Sequence, residues 1–121
     1  MLKTDFDVSF IARGERFKYL KRNGLKINSK QESKIFKPIK VFDSIPAKVN
    51  FDIVLNTVKL YDFEEFIKKI RKTNTYNSIL LPFQNGISAE QRLIEEFGED
   101  NCYGAVAQIS SYIEKDQSVK Q

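Results

Sequence analysis

Two periodicities take turns along this chain. Residues 8–12, Val-Ser-Phe-Ile-Ala, form a short β-branched and aromatic run that predicts a strand. From Glu15 the spacing turns helical, with Phe17 and Leu20 three apart and charged residues between them. Asn23-Gly24 predicts the stop, because glycine accepts the left-handed backbone that ends a helix. Leu25-Lys26-Ile27 alternates and predicts a second strand, and residues 28–34 are polar and loop-like. Residues 35–41 alternate imperfectly around Pro38 and are expected to be an edge strand at most. Residues 44–50 form a connection broken by Pro46.

The second half repeats the alternation more strongly. Residues 51–58, Phe-Asp-Ile-Val-Leu-Asn-Thr-Val, are nearly continuous in apolar residues at their middle, as expected for a strand covered on both faces. Asp62 is an expected N-cap, with Glu65 three residues on as a capping-box acid. Phe63, Phe66, Ile67 and Ile70 then fall on one helical stripe. Glu64 and Glu65 open that helix and Lys68, Lys69, Arg71 and Lys72 close it, which suits the macrodipole at both ends. Residues 79–83 predict a buried strand whose regular pairing ends near Pro82, since proline has no N–H for the ladder. Residues 84–87 read as a turn. Ser88 with Gln91 forms a second capping box, with Leu93, Ile94 and Phe97 as the buried face and Gly98 as the stop. Residues 102–109 are expected to be a last core strand, with a further short strand near residues 110–114.

Strand and helix in this order predict an α/β fold with a mostly parallel sheet. Composition agrees: 121 residues suit one domain, 41% are hydrophobic, and no apolar run approaches the roughly 20 residues of a membrane helix. The N-terminal residues lack the apolar core of a secretory signal, and the single cysteine, Cys102, excludes an internal disulfide and fits a reducing cytoplasm. Absence of histidine excludes a histidine base and a histidine-bound zinc. Charge is uneven. Residues 1–60 hold 13 basic and 6 acidic side chains, whereas residues 61–121 hold 7 and 10. A basic half attracts phosphate, on a nucleotide or on nucleic acid. The aromatics do not interleave with these charges, which argues against nucleic acid, and a solvated lysine-rich face explains the charge equally well.

Ligands of parallel α/β sheets bind outside the carboxyl ends of the strands, and four places qualify. Arg13 directly follows the first strand. At the end of the second strand of a dinucleotide-binding fold an arginine pairs with the 2′-phosphate of NADP; the plainer reading is a surface arginine near a helix start, the less favourable end for a cation. Lys59 follows a buried strand and is placed to hydrogen-bond a cofactor or a carboxylate, or simply to end the strand in water. Asn85, before Gly86, offers a donor and acceptors in what is otherwise ordinary turn chemistry. The region of Ser110 is the fourth. Cys102 reads as a buried filler, and Glu95, Glu96, Glu99 and Asp100 as a solvated acidic rim.

Taken in order, these segments resemble a family. Residues 10–15, Phe-Ile-Ala-Arg-Gly-Glu, then Asn23-Gly24-Leu25-Lys26-Ile27, resemble the second strand and following segment of the ketopantoate reductases (2-dehydropantoate 2-reductases). Phe51-Asp52-Ile53-Val54 with Val58-Lys59, the Gln84-Asn85-Gly86 turn, and Tyr103-Gly104 with residues 109–114 are similar to that family's later strands and turns. The resemblance implies NADPH-dependent reduction of ketopantoate, a 2-keto acid, to pantoate, a step toward pantothenate and coenzyme A. Arg13 would hold the 2′-phosphate, Lys59 would face the cofactor cleft, Asn85 would touch both cofactor and substrate, and Ser110 would lie on the nicotinamide side. Arg13 and Asn85 would then share one rim of the sheet.

The departures matter too. The family opens with a strand and a Gly-x-Gly-x-x-Gly turn, and here the five glycines stand apart. The expected fold is therefore a Rossmann-like, mostly parallel sheet that is incomplete. The first strand and glycine-rich turn, roughly 20 residues, are absent, as is the helical C-terminal domain that carries the family's catalytic lysine and a substrate-binding carboxylate. No catalytic residue is expected in this span, and the fragment is expected to be inactive alone. Without a central first strand, residues 8–12 and 51–58 would each leave an open edge. Such edges are expected to pair with another chain as a homo-oligomer or strand swap, to join each other directly, or to receive a further N-terminal segment. The alternative function is a small non-catalytic α/β protein whose basic half binds a partner or nucleic acid.

Overall fold

The computed structural model describes residues 6–37, 39–84 and 88–121. The elements run β1 (Ser9–Ile11), α1 (Gly14–Asn23), β2 (Leu25–Asn28), β3 (Ser33–Phe36), β4 (Lys40–Phe42), β5 (Ile53–Asn56), α2 (Phe63–Ile70), β6 (Ile79–Pro82), α3 (Ser88–Phe97), β7 (Tyr112–Ile113) and β8 (Val119–Lys120). Single 3₁₀ turns lie at Leu60–Asp62, Asn74–Asn77 and Glu99–Asn101. They form two compact units, residues 1–44 with 109–121, and residues 45–108.

In the first unit β1 lies parallel to β4, with Phe10 opposite Val41, and a separate sheet has the order β3-β2-β8-β7. The edge strand expected around Pro38 is in fact two strands with different partners. β3 turns back antiparallel on β2, while β4 pairs with β1; Pro38 itself lies outside the described residues. Between α1 and β2 stands Gly24, at φ +79°, its N–H donating to the Leu20 carbonyl at 2.9 Å. A Cβ there would sit 2.4 Å from the Phe36 carbonyl oxygen. Glycine is required twice over, for the left-handed backbone and for the close approach of β3.

The second unit is a parallel pair, β5 with β6 in the register Ile53↔Ile79, covered on one face by α2 and α3. Phe63, Ile67, Ile70, Leu80, Ala89, Leu93 and Cys102 make its core. The helical stripe of α2 falls where the spacing puts it. Its expected capping box does not form: Asp62 accepts no side-chain cap bond. Asp62 closes a 3₁₀ turn with helical dihedrals (φ −93°, ψ 0°), whereas a cap needs extended backbone. Glu65 instead pairs with Lys69 at 2.5 Å. For α3, Ser88 is already the first helical residue, and the residue before it is outside the described set. Gly98, at φ +87°, ends this helix as expected.

Coverage on both faces of β5 is not found. Ile53 and Leu55 are 50% and 40% exposed, while Val54 and Asn56 turn inward. Among the described residues β1 is paired with β4 and β5 with β6. The core strand expected over residues 102–109 reduces to one parallel bridge, Leu80↔Cys102, with the Tyr103 N–H on the Leu80 carbonyl at 3.2 Å. The next rung of that ladder needs the N–H of residue 82, and Pro82 has none. Beyond it Val106 and Ile109 are 83% and 67% exposed.

Two substitutions test this account. Gly24→Ala is expected to destabilise the first unit by about 2 kcal/mol or more. Leu93→Ala, which empties the centre of the second core, is expected to cost about 2–5 kcal/mol. Urea unfolding measures both, and a Gly24→Ala chain as stable as the original would contradict the steric argument.

Candidate functional site

Arg13 lies two residues beyond the end of β1 and is the N-cap of α1, in extended backbone (φ −113°, ψ 160°) and with its side chain exposed. Gly14 follows at φ +57°, and apart from its chain neighbours and its own helix no described atom lies within 4 Å of where a Cβ would stand. The start of α1 is thus an open place where a cation stands beside amide N–H groups that have no intrahelical acceptor. Glu15 is turned to Lys18 at 2.7 Å, whose hydrogen bond holds the Glu15 carboxyl below its ordinary value.

Lys59 leaves β5 three residues beyond Asn56, in extended backbone (φ −67°, ψ 150°), exposed. Its carbonyl accepts from the Asp62 N–H at 2.9 Å, and among the described residues its amine makes no hydrogen bond or ion pair. Ser110 is exposed in the irregular stretch before β7. Asn85 lies outside the described residues. Arg13 and Ser110 therefore belong to the first unit and Lys59 to the second.

What the sequence did not announce is the polar knot behind Lys59. Asn56 is 1% exposed. Its Oδ1 accepts from the Val58 N–H at 3.1 Å, an Asx turn that bends the chain out of β5. Gln84, just past β6, donates from Nε2 to Asn56 O at 3.2 Å, to Asn56 Oδ1 at 3.0 Å and to Val58 O at 2.8 Å. The amide orientations follow from this network, since flipping Gln84 would set its oxygen against three others. Asn56 Nδ2 and Gln84 Oε1 are buried without a partner. Each such group costs about 1–3 kcal/mol. The available signal was an asparagine closing an apolar strand two residues before the chain turns.

A second knot closes the β7–β8 hairpin. Ser118 is fully buried, and its Oγ and N–H both donate to Asp116 Oδ1, at 2.6 and 3.0 Å. Asn28 Nδ2 donates to Glu114 Oε2 and Ser118 Oγ, each at 3.0 Å. Arg16 donates to the Gln117 carbonyl, at a residue with φ +66°. Asn28 lies 86 and 90 positions from Glu114 and Ser118, so no local pattern reveals that half of the knot.

Other expectations divide. Cys102 is buried beside Leu80, and burial, then the charge of Glu90, raises its thiol, which suits a filler. Glu96 is not part of a solvated rim: its side chain is 8% exposed, held by Arg71 and, at 3.1 Å, by Arg92. Arg92 also grips Glu64 with two nitrogens, at 2.9 and 3.3 Å. A hollow lined by Arg71, Tyr76, Glu96 and Phe97 lies at the carboxyl ends of α2 and α3. No described helix is long and apolar enough to cross a membrane.

Comparison with known proteins supplies context for these positions. The family described as ketopantoate reductase PanE/ApbA matches residues 1–121. The chain is 28% identical over 108 residues to an uncharacterized oxidoreductase, YkpB, of Bacillus subtilis, covering 89% of this chain and 35% of that protein. It is 36% identical over 64 residues to a 2-dehydropantoate 2-reductase of Aquifex aeolicus, covering 51% of this chain and 20% of that protein. A crystal structure of a 2-dehydropantoate 2-reductase from Geobacter metallireducens superposes with a TM-score of 0.81 at 25% identity, covering 96% of this chain and 38% of that one. The matches thus span between a fifth and two fifths of the length of these relatives.

The acid side of stability follows from the hairpin knot. Folding lowers the Asp116 carboxyl from 3.8 to about 2, chiefly through the two Ser118 hydrogen bonds. A lowered folded value means that the contribution is present above the unfolded value and is lost as pH falls through the folded one. Stability of the hairpin is expected to decline between pH 3.8 and about 2, and Asp116→Asn to flatten that decline. NMR of the Ser118 amide against pH reads it, and an unaltered decline in the variant refutes it.

Proposed function

This chain belongs to the ketopantoate reductase PanE/ApbA family, and on that premise we propose that it forms cofactor-binding structure of an NADPH-dependent oxidoreductase acting on a 2-keto acid, with ketopantoate as the substrate. The observation that carries the cofactor choice is Arg13 at the start of α1. A cation there opposes the helix dipole by about 0.3–1 kcal/mol, and a phosphate bound at the same place reverses the sign.

The residues present fit such a group. Arg13 offers a planar fork for a ribose 2′-phosphate, and Gly14 leaves the space through which a phosphate approaches the backbone. When bound, NADPH supplies the hydride that reduces the keto carbon. Lys59 presents an ammonium beyond the end of β5, to hydrogen-bond the cofactor or a substrate carboxylate. Asn85 brings a donor and an acceptor to cofactor and substrate, and Ser110 contributes on the nicotinamide side. By the same family resemblance the proton donor for the new hydroxyl is a lysine outside this span. The chain alone is therefore proposed to bind cofactor without turning over ketopantoate.

Fluorescence titration of the full chain with NADPH and with NADH tests this. Arg13→Glu is expected to weaken NADPH binding about tenfold or more, the worth of a charge-assisted hydrogen bond, and to leave NADH within about threefold. Equal loss for both cofactors would remove the 2′-phosphate role, and tighter NADH than NADPH binding by the original chain would favour NADH. Salt-dependent binding to random duplex DNA without any protection by NADPH would overturn the reading in favour of a nucleic-acid partner.

A further inference from the structure

Within the second unit the exits of β5 and β6 are tied by a side chain as well as by the ladder. The Phe83 N–H reaches the Asn56 carbonyl at 2.9 Å, the last backbone rung. One residue later Gln84 Nε2, with two hydrogens, meets three oxygens: Asn56 O, Asn56 Oδ1 and Val58 O. The N–H of Val58 is held by Asn56 Oδ1 in the same network. Both backbone polar groups of Val58 are thus fixed by side-chain amides, and the next residue is Lys59. The tie also keeps Asn56 Nδ2 and Gln84 Oε1 buried and unpaired. An apolar side chain at position 84 would remove the unpaired Gln84 Oε1, but it would also take away the side-chain donor to the Val58 carbonyl. What the amide adds is direction: it sets the plane of the Val58 carbonyl, and through it the course of the chain that carries Lys59.

We propose that Gln84 is a positioning residue, whose amide fixes the backbone leaving β5 so that the amine of Lys59 is presented at one place beyond the strand end. The significance of that place rests on reading Lys59 as cofactor-facing.

Two variants of the full chain separate direction from filling. Gln84→Met keeps the length and removes donor and acceptor, whereas Gln84→His returns one ring N–H at similar reach. Amide hydrogen exchange of the cofactor-free chain is followed at Val58 and Asp62, the N–H groups flanking Lys59, with α3 amides as internal reference. Exchange at Val58 and Asp62 is expected to rise about tenfold or more in Gln84→Met while α3 holds, and to return toward the original in Gln84→His. NADPH affinity is expected to fall and recover in the same order. Because exchange needs no cofactor, an original chain that does not bind NADPH would sink the cofactor reading and leave the positioning role to be decided by exchange. The proposal is overturned by unaltered exchange in Gln84→Met, by a rise shared equally with α3, by a chain that does not fold, or by unchanged NADPH affinity in a chain that binds it.

Discussion

The parallel pairing of β5 with β6 is the constraint on which the second unit depends. Its register puts Asn56 opposite Pro82, so both strands end together, and the turns that leave them start side by side. Burial of Leu80, Phe63, Ile67, Ile70 and Leu93 between that pair and two helices supplies the stabilisation. A slip of one residue would turn Asn56 to the opposite face and break the network at the shared end.

Much of this was legible in the residues. The stripe of α2, the strand over residues 79–82 and the glycine stops at Gly24 and Gly98 all depend on local stereochemistry, and local sequence encodes them. Pro82 was read correctly as an end of pairing, but its reach was underestimated. A missing N–H on one strand also removes the partner's ladder, so residues 103–109 have apolar composition without strand structure. Asp62 failed as a cap for a similar reason: the residue type was right, but the preceding 3₁₀ turn had already committed its dihedrals.

What stayed hidden is non-local. Gln84 looked like turn punctuation until it was seen 28 positions from its acceptors, and Ser118 like tail until it met Asn28. Glu96 looked solvated because its neighbours in sequence are acids, while its neighbours in space are two arginines. Ile53 and Leu55 misled in the opposite direction: a continuous apolar run implies cover on both faces, and the described structure covers one.

The proline at the end of β6 has a bearing on association. On the Cys102 side, the sheet cannot lengthen by adding rungs past residue 82, because a tertiary amide nitrogen has no hydrogen to donate to the next one. On the β5 side no such block exists among the described residues, and the backbone there is flanked by apolar side chains half in water. Within the second unit, the flank beside Cys102 is therefore closed to further rungs by its own backbone.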